Sequence, residues 1–557
     1  MTQSATKYAP ANDIAERFLK ERIVTRIWER DISVWGATPG SVDARSISTR
    51  LGWLDVDRTM GPELDRVHRL GESARREHIR SVYLLGMGGS SLCAEVMRSV
   101  YGAADGYPNL LVLDTTDEHS IAGAAAAMDA RRTWFIVASK SGSTVEVSSL
   151  ERFFRARVAA TLGAQAGKQF IAITDPGTVL QQHATAHGYR EVFLNPADIG
   201  GRFSALSLFG LVPCALLGSD PGGLLNAGGT MAEGCRQENH ANAGLELGAF
   251  IGAAALNGRD KLTVTLPPSL ASLGLWIEQL VAESTGKHGK GALPVVDEPI
   301  GRPDEYGNDR AFVAVATDRD EPDSDRLDAL EKAGHPVLRL STRIDGLGAE
   351  FFRWEFATAV AGAALGINPF DEPNVAEAKE KTRALLTSYL SEGKLPEPKA
   401  AAAAHGIGVF SPSFSGRSPE SVVQAALQSL KPGDYVAVLS YLPASSEVET
   451  RIGEIREGIR ARFDAASTFG VGPRYLHSTG QYHKGGPDKV LALVITGEDE
   501  TRTEIPEAGY AFSVLKRAQA LGDVETLAAH GRRVVRLHLS QGATMEMVES
   551  VFADALR

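Results

Sequence analysis

Residues 134–146 join an apolar segment to a helical one through a loop of small hydroxyl side chains. The run WFIVA (134–138) is typical of a buried strand, and apolar residues recur at helical spacing from Val147 to Val158. The first N–H groups of a helix lack internal partners and carry a partial positive charge, so they favour an anion. An ordinary N-cap is the alternative, but it needs one hydroxyl. Four hydroxyls around Gly142, at Ser139, Ser141, Ser143 and Thr144, favour phosphate binding.

Strands and helices alternate at short spacing along most of the chain. Before and after the segment above lie the strand-like runs VYLL (82–85), LLVL (110–113), FIAIT (170–174) and EVFL (191–194). This alternation predicts an α/β fold with parallel sheets covered on both faces, in which ligands bind at the carboxyl ends of the strands. A second alternating block has predicted strands at 262–266, 311–316 and 337–340, and a third at 435–439, 490–495 and 534–539.

The chain length of 557 residues exceeds what one core can organise. We predict an N-terminal helical segment (1–60), two α/β domains (61–235 and 236–395), and a linker with a smaller C-terminal α/β domain (396–557). A stretch rich in proline, alanine and glycine, residues 391–419, is predicted to be a linker or a loosely structured crossing.

Composition narrows the class of protein. A net charge of −11 argues against nucleic acid as the main partner. The three cysteines, Cys93, Cys214 and Cys235, have neither metal-ligand spacing nor a disulfide framework. The start MTQS (1–4) shows no signal peptide, and no apolar stretch could span a bilayer. We therefore expect a cytoplasmic protein that binds neither membranes nor metal.

A glycine-rich turn, GMGGSS (86–91), follows the strand at 82–85, and Asp114 ends the next strand. This hints at a dinucleotide site, but Ser91 stands where the fingerprint has glycine or alanine, which the helix needs to pack closely. More simply, the glycines let a sugar or its phosphate approach the backbone.

Three charged residues are candidates for chemistry, each with an ordinary structural alternative. Arg202 follows two glycines and is close to a ligand or simply structural. Glu283 lies at the carboxyl end of an apolar helix, where the dipole and burial both raise a carboxyl pKa, as a general base needs; the alternative is a solvated glutamate. Lys379 lies between two glutamates, which also suits a surface lysine.

The segment YLHSTGQYHKGG (475–486) carries two histidines, His477 and His483, without a recognised zinc spacing. A functional loop and a structural one are both open.

Taken together, the glycine turn, the hydroxyl loop, the GGRFS stretch (200–204), the Glu283 segment and the run from Phe370 to Lys379 resemble the glucose-6-phosphate isomerase family, in that family's order over about residues 60–390. The block after residue 420 looks like the end of the isomerase half of bacterial transaldolase–glucose-6-phosphate isomerase fusions. The resemblance implies two flavodoxin-like sugar isomerase (SIS) domains with the active site between them, no cofactor, and a homodimer.

The resemblance also implies a role for each matching residue. The substrate phosphate would be held by four hydroxyl side chains, and the site would be further lined by two residues; these are Ser90, Ser139, Ser141 and Thr144, then Gly89 and Lys140. Glu283 would move the proton between C2 and C1, Arg202 would stabilise the enediolate, and Lys379 would assist ring opening.

Two positions depart from the family pattern. Glu372 stands where a glutamine usually contacts the phosphate, so it must be protonated, paired or turned away. Arg310 stands where many members have a ring-opening histidine, and arginine is a poor proton shuttle. His288, His477 or His483 could supply that group.

The resulting hypothesis is an isomerase of glucose 6-phosphate and fructose 6-phosphate, acting in glycolysis and gluconeogenesis. The alternatives are an isomerase of another anionic sugar and a regulator that binds a sugar phosphate without catalysis.

Overall fold

A computed structural model describes residues 7–556. The start MTQS (1–4), for which we predicted no signal peptide, lies outside these residues. The chain opens with short helices that pack on the body of the protein: α1 (Ala9–Lys20), α2 (Ile23–Trp28), α3 (Val42–Ser48), α4 (Val56–Met60) and α5 (Leu64–Arg76).

The first sheet has five parallel strands in the order β2-β1-β3-β4-β5, the flavodoxin-like order. Its strands are β1 (Ser81–Leu85), β2 (Asn109–Leu113), β3 (Thr133–Ala138), β4 (Phe170–Thr174) and β5 (Glu191–Leu194). The helices that follow these strands are α6 (Leu92–Tyr101), α7 (Glu118–Ala127), α8 (Val145–Leu162), α9 (Val179–Ala186), α10 (Leu208–Leu216) and α11 (Pro221–Cys235).

The second sheet has four parallel strands in the order β7-β6-β8-β9. Its strands are β6 (Lys261–Thr265), β7 (Leu293–Val295), β8 (Arg310–Ala316) and β9 (Val337–Ser341). Its helices are α12 (Ala243–Leu256), α13 (Leu273–Thr285), α14 (Ser324–Lys332), α15 (Leu347–Leu365) and α16 (Val375–Glu392). One hydrophobic core runs from the N-terminal helices through both sheets to Phe370.

The third sheet is mixed, with six strands in the order β10-β11-β15-β14-β12-β13. Its strands are β10 (Ala402–Ala404), β11 (Ile407–Phe410), β12 (Tyr435–Ser440), β13 (Ala466–Val471), β14 (Val490–Gly497) and β15 (Arg533–Leu539). Its helices are α17 (Pro419–Gln428), α18 (Ser446–Phe463), α19 (Gly480–Gly485), α20 (Phe512–Ala529) and α21 (Met545–Leu556). The predicted parallel α/β fold is confirmed, and the domain boundaries stay predictions.

Part of the predicted crossing at 391–419 is ordered sheet. β10 and β11 form a hairpin, and β11 pairs antiparallel with β15. The alternation of Ile407 and Val409, both buried, reveals the strand, which the surrounding alanines, glycines and serines obscured.

Helix α16 packs along α20, so it joins the second sheet's region to the third. Leu385 and Leu386 of α16 share a core with Phe512, Leu515 and Leu521 of α20. Among the described residues, none of the helices is both long and apolar enough to cross a membrane.

Candidate functional site

The hydroxyl loop lies at the carboxyl end of β3, beside the end of β1, because Leu85 is in register with Val137. Ser139 Oγ is 2.9 Å from Thr144 Oγ1 and accepts a hydrogen bond from the Gly142 N–H, while Gly142 has a φ of 67°. Thr144 is the N-cap of α8, yet its side chain makes no capping hydrogen bond. The hydroxyls and the first N–H groups of α8 therefore form a cradle suited to phosphate.

The glycine turn after β1 is in close contact with the Arg202 segment. A Cβ on Gly89 would lie 2.1 Å from the backbone oxygen of Gly201. A Cβ on Gly88 would lie 2.6 Å from Gln279 Nε2 and 2.7 Å from the His477 oxygen. Ser90, buried in the same turn, is held beside them. The glycines thus bring three distant segments within contact of one another.

Glu283 and Arg202 face each other in a buried position. Arg202 Nη1 lies 3.2 Å from Glu283 Oε1, and the rest of the guanidinium donates to Ser284 and to the carbonyls of Pro369 and Asp371. Burial raises the pKa of Glu283, and the charge of Arg202 opposes that rise. A carboxylate with a raised pKa next to a fixed cation can move a proton while the cation stabilises an enediolate.

Glu372 is paired, one of the three states that the sequence allowed. Its Oε2 accepts from Arg50 Nη1 at 2.7 Å and from Arg202 Nη1 at 3.2 Å. Burial favours the neutral form, but the two guanidinium groups outweigh it and lower the pKa of Glu372 to about 2. Glu372 is therefore ionised and neutralised by arginines.

The segment 475–486, which includes α19 and is called the C-terminal loop from here on, closes one wall of the site. His477 Nε2 lies 2.8 Å from Glu146 Oε1, and Gln519 of α20 donates to the same oxygen at 2.7 Å. Gln279 Nε2 donates to the His477 carbonyl at 2.6 Å and to Glu283 Oε2 at 3.2 Å. Residues from the first, second and third sheets thus meet in one network.

A cavity of about 350 Å³ lies beside this network. Its lining includes side chains from the hydroxyl loop, from α16 and from the C-terminal loop: Ser141, Ser143, Thr144, Glu146, Lys379, His477 and Gln519. Glu283 and Arg202 are not part of this lining; they connect to it through Gln279 and His477.

Three other residues that the sequence analysis named, Lys140, Arg310 and His288, do not line this cavity. The Lys140 ammonium contacts Asp175 and the Ala197 carbonyl, and Arg310 is fully buried against Glu298 at 2.8 Å. His288 lies on an exposed turn with a φ of 53°.

His483 does not reach the cavity. It is fully buried and hydrogen-bonded to the Tyr435 hydroxyl, and burial lowers its pKa to about 3. Of the three candidate histidines, His477 is the one that lines the cavity.

Asp114, the residue that hinted at a dinucleotide, is already occupied. Arg474 donates to both of its carboxylate oxygens, at 2.7 and 2.8 Å. Across residues 7–556 there is no group of three or more His, Cys, Asp or Glu side chains able to hold a metal ion.

Comparison with known proteins relates this chain to one family of enzymes. Residues 59–301 match the family model for phosphoglucose isomerase. The chain is related to the phosphoglucose isomerases. It is 28% identical over 397 residues to the glucose-6-phosphate isomerase of Staphylococcus saprophyticus, covering 62% of this chain and 88% of that one. It is 31% identical over 293 residues to that of Lactobacillus helveticus, covering 45% and 66%.

A solved structure shares the fold. A hypothetical protein from Thermus thermophilus aligns with a TM-score of 0.59 and 22% identity, over 69% of this chain and 99% of that one. The match to the family model ends at residue 301, so the C-terminal wall of the site lies outside that match.

Several site residues escaped the sequence analysis: Arg50, Gln279, Lys287, Gln481 and Gln519. The Lys287 ammonium donates to the Asn368 carbonyl at 2.7 Å and contacts Asp371, and burial lowers its pKa to about 8. Gln481 bonds Gly286 and Asn374, and thereby fixes the C-terminal loop to both α13 and the start of α16. No local pattern marks these residues, except that Gln279 precedes Glu283 by one helical turn.

Proposed function

We propose that this chain is an aldose–ketose isomerase that interconverts glucose 6-phosphate and fructose 6-phosphate. One observation carries the proposal: a buried glutamate, Glu283, faces a buried arginine, Arg202, and Gln279 and His477 connect this pair to the cavity that the hydroxyl loop lines. The relationship to phosphoglucose isomerases supports the same reaction.

In the proposed mechanism, the N–H groups of α8 and the hydroxyls of Ser139, Ser141 and Thr144 bind the phosphate. Glu283 then removes the C2 proton of the open-chain aldose and returns it at C1. Arg202 stabilises the negative charge of the enediolate intermediate. Without that stabilisation, the C2 proton would be too weak an acid for Glu283 to remove.

We assign ring opening to Lys379 and His477, which line the same cavity. With Nε2 of His477 hydrogen-bonded to Glu146, Nδ1 is the ring nitrogen left for proton transfer. Glu146 and Gln519 act as positioning residues in this proposal, because Glu146 holds the imidazole and Gln519 donates to the same Glu146 oxygen.

The test is Glu283→Gln, assayed for fructose 6-phosphate conversion and for exchange of the C2 proton in deuterated water. We expect a loss of roughly a thousandfold in kcat, with sugar-phosphate binding retained. The matched control is Glu278→Gln, a buried glutamate on the same helix. Turnover retained in Glu283→Gln would refute the mechanism, and a wild-type chain that binds the sugar phosphate without turnover would instead be a regulator.

A second anionic sugar is the alternative that Glu372 motivates. Because Glu372 is ionised and lies between two arginines, it could favour a different sugar configuration. Relative rates on glucose 6-phosphate and mannose 6-phosphate decide this, and much faster turnover of mannose 6-phosphate would change the assigned substrate. The homodimer, the cytoplasmic location and the likeness of residues after 420 to transaldolase fusions remain proposals from resemblance.

A further inference from the structure

The third sheet repeats a strand order found in the first. Its parallel part runs β13-β12-β14-β15, which matches β2-β1-β3-β4 when each set is numbered from its first strand. Sheets of this order bind ligands at the carboxyl ends of their strands. The carboxyl edge of the third sheet is therefore a place to look for a second ligand site.

A cavity of about 420 Å³ opens at this edge, between the sheet, α20 and the segment that follows α16. Tyr441 and Gly497 line it from the ends of β12 and β14, and Arg536 and His538 line it from β15. Its volume is sufficient for a molecule the size of a monosaccharide phosphate.

Cations dominate one wall of this cavity. Arg536 is 1% exposed, and its Nη2 donates to Glu397 Oε1 at 2.5 Å, while Arg517 contacts the other oxygen of the same carboxylate. Nε of Arg517 is buried and has no hydrogen-bond partner among the described residues. Two guanidinium groups thus share one carboxylate, and Lys394 adds a further cation at the rim.

The two carboxylates that line the cavity, Glu498 and Asp499, form no ion pair with Arg517 or Arg536 among the described residues. Asp499 is engaged by Lys516 at 2.5 Å, and Lys516 also contacts Asp117 at 2.9 Å. Glu498 accepts from the Gln541 N–H. Both therefore have partners of their own.

Glu397 reaches Arg517 and Arg536 from an irregular segment. It lies between Pro396 and Pro398, between α16 and β10, with 34% of its side chain exposed. Because no strand or helix holds this residue, its carboxylate can leave the arginines without breaking secondary structure.

We propose that the carboxyl edge of the third sheet holds a second anion site, which binds the phosphate group of a small phosphorylated molecule in place of the Glu397 carboxylate. A phosphate dianion supplies the second negative charge that Arg517 and Arg536 lack, and its oxygens accept from both guanidinium groups. This site is separate from Glu283 and does not depend on the isomerase assignment.

The test measures the binding of labelled inorganic phosphate by equilibrium dialysis at constant ionic strength. The background chain carries Ser139→Ala and Thr144→Ala, which weaken the phosphate cradle of the first sheet. We expect Arg517→Gln to weaken the remaining binding roughly tenfold and Glu397→Gln to tighten it. The matched controls are Arg462→Gln and Glu500→Gln, exposed residues of the same region, which should change little.

Opposite shifts from the two variants distinguish a site with an internal competitor from a general change in charge. If Arg517→Gln destabilises the fold, Lys394→Gln replaces it, because that side chain is exposed, and it too should weaken binding. The proposal is overturned if the background chain binds no phosphate, if Arg517→Gln and Lys394→Gln bind as tightly as Arg462→Gln, or if Glu397→Gln binds no more tightly than Glu500→Gln.

Discussion

Glu372 sets the protonation of its neighbour Glu283 through charge. Burial is the largest cause of the raised pKa of Glu283. The Glu372 carboxylate raises this pKa further, and the charge of Arg202 opposes both effects. In the proposed mechanism Glu283 is the base and must be ionised, so we expect the rate to fall as pH falls through its pKa.

Glu372→Gln removes that negative charge, so the pKa of Glu283 falls and the acid limb of kcat/KM moves to lower pH. The measurement is the pH profile of kcat/KM for wild type, for the variant and for Glu380→Gln, an exposed glutamate of α16. An acid limb that moves to higher pH, or stays with that of Glu380→Gln, contradicts this coupling.

His477 is assigned to ring opening, and that role separates two kinds of substrate. His477→Gln should lower kcat by roughly a hundredfold on glucose 6-phosphate, which is cyclic in solution. It should have little effect on an aldotetrose 4-phosphate, which cannot close a five-membered ring because its 4-hydroxyl is esterified. Equal losses on both substrates would give His477 a structural role instead, and the exposed His288→Gln is the control.

At the scale of single residues, the sequence offers candidates where a residue belongs to a local pattern, and their roles stay predictions. Ser139 to Thr144 stand between a strand and a helix, and Glu283 ends an apolar helix, so position alone indicates their chemistry. Arg50 lies in a bend just after α3 and Gln519 lies within α20, and only tertiary packing brings them to Glu372 and Glu146, which are distant in sequence. The same limit explains why three histidines stayed open until His483 proved buried.

At the scale of elements, the glycine turn after β1 packs directly against the segment that carries Arg202. The missing Cβ of Gly89 lets the turn approach Gly201, directly before Arg202. Backbone atoms, rather than a flexible side chain, fill the space that a Cβ would need.

Gly89→Ala should therefore push the Arg202 segment away from Glu283. We expect a loss of about 1–3 kcal/mol in the free energy of unfolding, with a larger proportional fall in kcat. Denaturant unfolding and steady-state kinetics measure the two effects. Gly123→Ala is the control, because no atom lies within 4 Å of the position that its Cβ would take, and equal behaviour of the two variants would show that the close approach is unimportant.

Strand and helix types followed from periodicity, whereas the hairpin of β10 and β11 did not. Its residues, alanines and glycines among them, have weak strand propensity. It is stabilised by pairing with β15, which lies more than 120 residues later in the sequence. Such non-local pairing leaves little trace in a short window of sequence.

At the scale of the whole molecule, the ion pair between Asp114 and Arg474 ties the first sheet to the loop that carries His477. Asp114 is 3% exposed, and the guanidinium contacts both of its oxygens. Removing Asp114 leaves the Arg474 guanidinium, which is 27% exposed, without its carboxylate, at a cost between those of a fully buried pair and a surface pair.

Asp114→Asn should lower the free energy of unfolding by about 2 kcal/mol and reduce kcat, because the His477 loop loses an anchor. Asp345→Asn, which breaks the exposed pair with Arg343, should change it by less than about 1 kcal/mol. Thermal unfolding compares the two variants, and similar midpoints would show that the Asp114–Arg474 pair contributes no more than a surface contact.

The hydrogen bond between Gln519 and Glu146 joins residues 373 positions apart. During translation, the ribosome completes the first two sheets long before it reaches α20. A nascent chain therefore carries the phosphate cradle and Glu283 while His477 and its supporting amide are still missing. Enzymatic competence should appear abruptly, late in synthesis, and not in proportion to the length already made.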